Sequence, residues 1–335
     1  MSCSTLHFVV KSSVNCPTVF IQSVREDPSM AKTILPYIIS GISVGGQYAL
    51  IAIGYTMVYG ILRLINFAHG DVFMVAGLMM VYMAAALPLY IAIPLMIILT
   101  VFLGFMIERV AYRPLRTAPR MSVMISAIGV SYLIQNLALY ITGGLNKNYP
   151  AIPWISDRVT VFGMETSRVT IITPFLTIIL VVALVQLINH TKIGMAMRAV
   201  SLNFETSQLM GIRINNVISA TFIIGTFLAA VGSMLFFTNY PGVVPTSGAM
   251  PGLKAFVAAV FGGIGSIPGA VIGAFIIGIA ESLIKGLDTI LIVHGTITEQ
   301  IGFATFSDAF TFVLLIIVLV FKPTGLFGEK TTDKV

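Results

Sequence analysis

Residues 41–77 read GISVGGQYALIAIGYTMVYGILRLINFAHGDVFMVAG. The stretch is mostly apolar, yet Arg63, Asn66, His69 and Asp71 fall close together between two apolar runs. Burying such groups in lipid is expensive, so a membrane protein keeps them for a path, a bundle-facing pair or an interface.

The rest of the chain gives this stretch its setting. Of 335 residues, 57% are hydrophobic and only 10% charged, and the mean hydropathy is +0.98. A soluble domain carries about 25% charged residues. The composition therefore implies an integral membrane protein. The net charge of +6 sits mostly in short loops between apolar runs. That placement is a topology signal and not a nucleic-acid footprint. Cys3 and Cys16 are the two cysteines, which excludes a disulfide framework or a cysteine metal site in the body of the chain. His7, His69, His190 and His294 are scattered over different segments and predict no metal site.

Apolar runs lie near 34–62, 66–86, 89–107, 121–141, 171–189, 218–238, 254–285 and 305–321. A crossing helix needs about 20 residues, and lipid offers the backbone no other partner. The expectation is an all-α, polytopic bundle of about eight spans. The 254–285 run is too long for one crossing and is interrupted by GGIGSIPG, residues 262–269. Discontinuous helices there would raise the count to nine or ten. Three basic segments are expected to share the cytoplasmic side. They are 108–120 with Arg109, Arg113, Arg116 and Arg120, 190–217 with Lys192, Arg198 and Arg213, and the tail with Lys322, Lys330 and Lys334. The charge-balanced 142–170 loop, with Trp154, and the 286–304 loop, without Lys or Arg, are expected outside. Gly41 and Gly45, and Gly269 and Gly273, are spaced for close helix packing. Residues 1–29 lack a span and a signal core; they read as an extension, or as a misassigned start ahead of Met30. Residues 30–328 then form the transmembrane domain, and 329–335 a cytoplasmic tail.

No motif equips the chain as an enzyme. GGIGSIPGA has glycines but no Lys-Ser/Thr ending to hold a nucleotide's phosphates, and neither HExxH nor GxSxG occurs. No cofactor and no catalytic residue are expected. The long basic loop HTKIGMAMRAVSLNFETSQLMGIRINNV, residues 190–217, is helix-permissive and amphipathic. It reads either as a helix lying on the membrane face or as a docking helix for a soluble partner. Within it Glu205, Thr206 and Ser207 are followed, after three residues, by Gly211. That spacing matches the permease signature of ATP-binding-cassette importers.

Four segments together resemble the permease subunits of branched-chain amino acid ABC importers. They are Gly45 to Asp71, Lys192 to Ile212, Ala258 to Ala274 and Lys322 to Gly328. The resemblance covers residues 31–328. It implies a multi-pass protein of a prokaryotic inner membrane that works with four other components. These are a second homologous permease, two cytoplasmic ATPase subunits that receive the Glu205–Gly211 loop, and an extracytoplasmic solute-binding protein. The cargo implied is leucine, isoleucine or valine. Related permeases serve urea or short amides, so that alternative stays open. The loop departs from the signature's usual form in lacking a downstream isoleucine, leucine and proline.

A stand-alone secondary transporter, the competing class, would need acids inside the spans, and the sequence offers Asp71 and Glu281. Asn66, His69 and Asp71 are candidates either for the path or for a polar network around a helix break. Glu281 and Lys285, four apart, read as an ion pair on one helix face. Tyr48, Tyr55 and Tyr59 read as an apolar lining or an interface belt.

Overall fold

The computed structural model describes residues 30–116, 118–161, 164–293, 302–322 and 324–328. The 1–29 extension, the end of the tail, His7 and His294 lie outside the described residues.

The architecture is a helical bundle. The main helices are α1 (Met30–Leu62), α2 (His69–Ala86), α3 (Leu89–Ile107), α4 (Arg120–Thr142), α5 (Arg168–His190), α6 (Lys192–Leu202), α7 (Phe204–Leu209), α8 (Ile214–Asn239), α9 (Ala249–Gly262), α10 (Ile267–Val293) and α11 (Ser307–Phe321). Eight helices among the described residues are long and apolar enough to cross a membrane, and α9 is a shorter apolar helix. This is a multi-pass membrane protein. Among the described residues four short strands remain: β1 (Lys147–Asn148), β2 (Arg158–Val161), β3 (Met164–Ser167) and β4 (Gly242–Val243). β2 and β3 form a hairpin, and β1 pairs antiparallel with β4.

Helices α1, α2 and α8 form the interior, and α4, α5 and α11 turn most of their apolar surface outward. Leu133, Phe175 and Val320 are among the exposed side chains, as expected where lipid or another subunit replaces a core. α1 runs against α10 almost backbone to backbone. A Cβ on Gly41 would lie 2.6 Å from Ile279 Cα, and one on Gly45 2.7 Å from Phe275 Cα. The small-residue spacing therefore marks a helix crossing, as its pattern predicted.

Two helices begin inside the bundle. α1 ends at Leu62, and Arg63 turns the chain back in the left-handed region at φ 54°. α2 then starts at His69, whose ring lies against Gly54, about two turns before the end of α1. α9 starts in the same place: a Cβ on Gly248 would lie 2.1 Å from the Gly70 carbonyl oxygen. The long 254–285 run is thus two helices, broken at Gly263–Ser266. Its first helix begins at Ala249, earlier than the apolar run. Pro268 stands in the first turn of α10, where its missing N–H interrupts nothing.

The three basic segments share one end of the bundle. Arg116 bonds Asn215, which joins the 108–120 loop to the base of α8. The Leu326 and Phe327 amides donate to the Phe261 and Gly262 carbonyls, which joins the tail to the end of α9. The β1–β4 pair and the β2–β3 hairpin lie at the opposite end.

Candidate functional site

The expected polar cluster is buried, but its members have separate partners. Asn66 accepts from the Tyr112 hydroxyl at 2.8 Å and from the Ala68 amide at 3.2 Å. This closes the turn between α1 and α2 with a side chain. His69 fills the space left by Gly54 on α1 and Gly225 on α8, and its ring meets Tyr55 edge-on at 5.0 Å. Its Nε2 has no hydrogen-bond partner among the described residues. Asp71, in the first turn of α2, accepts from Ser131 and from Gln135, four residues apart on α4. A carboxylate in a helix's first turn also meets the positive end of its dipole. Each of the three therefore faces protein.

A second buried cluster escaped the sequence reading. Lys254 on α9 donates to Glu281 at 2.7 Å and to Asp308 at 2.6 Å. Glu281 also accepts from Lys285 at 2.5 Å and from Tyr48 at 3.0 Å. Its side chain is 2% exposed and that of Lys254 6%. Both cations and both carboxylates are paired, so the cluster is neutral and ties α9, α10 and α11 together, with Tyr48 adding α1. The Glu281–Lys285 pair was legible from its spacing. Lys254 was visible only as a charge at the head of an apolar run, and its partners lie too far along the chain for spacing to reveal. The tyrosines form no interface belt, because Tyr48 and Tyr55 are buried inside the bundle. Nor are Asp71 and Glu281 the only acids within the spans, since Glu108, Asp288 and Asp308 lie there too.

At the basic end the loop of residues 190–217 folds as α6 and α7. The Thr191 side chain caps α6 by accepting from Gly194 N–H, and Asn203 caps α7 by accepting from Thr206 N–H. Glu205, Thr206 and Ser207 lie in α7. Glu205 and Thr206 are exposed, and Ser207 is turned inward. Gly211 closes α7. Its N–H donates to the Gln208 carbonyl, and the next amide, Ile212, donates to Ser207. This pair of bonds needs a left-handed residue, and Gly211 has φ 82°. Among the described residues, its chain neighbours aside, nothing lies within 4 Å of a Cβ placed there. The glycine is therefore required by the turn. Leu202, just before the motif, and Leu209, inside it, are both 87% exposed, and Met210 beside Gly211 is exposed as well.

Beside α7 lies a cavity of about 840 Å³ whose wall includes Leu62, Tyr112, Arg116, Glu205, Gly211 and Asn215. Above it Glu108, in a π-turn that continues α3, accepts from Arg116 and from Ser219 on α8. Burial pushes the Arg116 guanidinium's pKa down, and the Glu108 charge opposes that shift. Among the described residues no group of three or more His, Cys, Asp or Glu is placed to hold a metal ion.

A family match and several relatives point to one family. Residues 37–319 match the family described as branched-chain amino acid transport system, permease component. The chain is 39% identical to the high-affinity branched-chain amino acid transport system permease protein BraD of Pseudomonas aeruginosa, over 90% of this chain and 98% of that one. It is 38% identical to LivH of Escherichia coli, over 90% of this chain and 97% of the other. It is also 28% identical to a probable LivH of Methanocaldococcus jannaschii, over 83% and 88%. With a family match over most of its length and relatives at this identity, the chain belongs to the permease components of branched-chain amino acid transport systems.

Proposed function

We propose that this chain is one of two homologous permease subunits of an ATP-binding-cassette importer that carries leucine, isoleucine or valine into a prokaryotic cell through its inner membrane. Residues 30–328 make the permease domain. Two cytoplasmic ATPase subunits supply the energy, an extracytoplasmic binding protein delivers the cargo, and membrane lipid surrounds the bundle. The chain itself carries no catalytic residue.

The observation that carries this reading is the exposed α6–α7 segment at the basic end. Glu205 and Thr206 stand on its open face, and the apolar side chains beside them are exposed among the described residues. A solvated loop gains nothing from Leu202, Leu209 and Met210 held outward, whereas a helix that enters a partner's groove does. Basic loops favour the cytoplasmic side, where ATPase subunits reside. Asn66, His69 and Asp71 serve this machine by fixing the start of α2, each through its own contacts: Asn66 with Tyr112, His69 against Gly54, and Asp71 with Ser131 and Gln135.

The test is reconstitution of the chain with its second permease and ATPases in proteoliposomes, with the binding protein added. ATP-dependent leucine uptake that excess isoleucine and valine suppress is the expected result. Uptake without ATP, driven by an ion gradient, overturns the reading. Uptake suppressed by urea or acetamide, and not by isoleucine, assigns the other substrate class.

A further inference from the structure

We propose that Arg116 is a positioning residue that pins the 108–120 loop to the base of α8, so that a displacement of α7 reaches α3 and α4 as well as α8. This inference rests on the ATP-driven reading above.

The geometry begins with Glu108. Its side chain has 0% exposure at the end of a membrane-spanning helix. A carboxylate that deep is tolerated only when both oxygens are bonded and its charge is met. Arg116 takes Oε1, and Ser219 takes Oε2 at 2.7 Å. The Arg116 fork does not end there. One terminal nitrogen holds Glu108, and the other donates to Asn215 in the first turn of α8. A planar guanidinium can bridge two acceptors in this way, whereas a lysine offers one compact point of charge.

Residues 210–213 are the whole connection between α7 and α8, and the Ser207–Ile212 bond stiffens it. α7 and the start of α8 therefore move as a unit. The 108–120 loop stands apart from α7 across the cavity of about 840 Å³. Arg116 reaches past that space to Asn215. Without the fork, Ser219 alone would tie the Glu108 carboxylate to α8. The notable point is the economy of the arrangement: the group that neutralises the buried acid also joins the two inner loops.

The experiment uses the reconstituted complex and reads leucine transported per ATP hydrolysed, with thermal midpoint and subunit co-purification measured on the same preparations. Arg116→Lys keeps Glu108 paired and gives up Asn215. Asn215→Ala removes the same link from an exposed position. Each is expected to co-purify and melt as the parent does while the transport ratio falls, roughly twofold to thirtyfold, the range over which single residues on a coupling network act. Parental ratios in both variants overturn the pin. A loss in Arg116→Lys alone overturns it too, because the Asn215 link then does not carry the effect. Absence of ATP-dependent uptake in the parent overturns the ATP-driven reading and the pin together.

Discussion

The His69 imidazole occupies the space that a side chain on Gly54 would need: a Cβ there would lie 2.2 Å from Nε2. Gly54→Ala is thus expected to overpack the junction of α1, α2 and α8 by about 1–3 kcal/mol. The melting temperature of the purified permease in detergent should fall by several degrees. Combining it with His69→Ala should return part of the loss, because residues in contact are not additive. Strict additivity of the two single changes would show that the pair is not what sets the cost.

The Lys254 cluster makes a prediction about tolerance. Breaking an isolated buried ion pair costs about 3–5 kcal/mol. Lys254→Met leaves Glu281 still bonded to Lys285 and Tyr48, and leaves Asp308 partly exposed to solvent. A smaller loss, about 1–3 kcal/mol, is expected, comparable to losing charged hydrogen bonds. Thermal melts of Lys254→Met alone and with Lys285→Met check this. The double variant, which strips Glu281 of both cations, should lose much more than the sum.

At Gly211 the discriminating comparison is asparagine against valine. Asparagine enters the left-handed region at modest cost, and a β-branched residue does so only with strain of about 1–3 kcal/mol. Gly211→Asn should retain ATPase stimulation by loaded binding protein, and Gly211→Val should lose most of it with the spans intact. Equal activity in the two variants would mean that the turn does not matter to coupling.

The orientation is checked by labelling single cysteines with an impermeant thiol reagent, in a background with Cys3 and Cys16 replaced. Trp154→Cys should react in intact cells, and Asn203→Cys only after permeabilisation. The reverse pattern would invert the proposed sidedness.

Much of this architecture was legible from apolar run length and loop charge, because lipid imposes both constraints on the chain directly. The meeting of the three basic segments and the break after Gly262 followed from those constraints. The α7 turn was legible at Gly211, because a left-handed helix end selects glycine locally. The pairing of Lys254 with Asp308, and of Glu108 with Ser219, was not. Such contacts join helices far apart in sequence, and nothing in the local pattern of either partner encodes the other. The start of α9 at Ala249 was hidden for a similar reason. Its first turn carries Met250, Pro251 and Gly252, and Gly248 and Gly252 there lie against Gly70, a contact that no local pattern announces.

The half-length helix α9 bears on how the protein is made. At 14 residues it is too short to be recognised as a crossing segment when it leaves the ribosome. Its final carbonyls, on Phe261 and Gly262, are met by amides of Leu326 and Phe327, near the end of the chain. Those acceptors wait for residues 326 and 327 to be made. The machinery can thread the long helices in order, but this one settles only after residues 326 and 327 have been made, because their amides seal it.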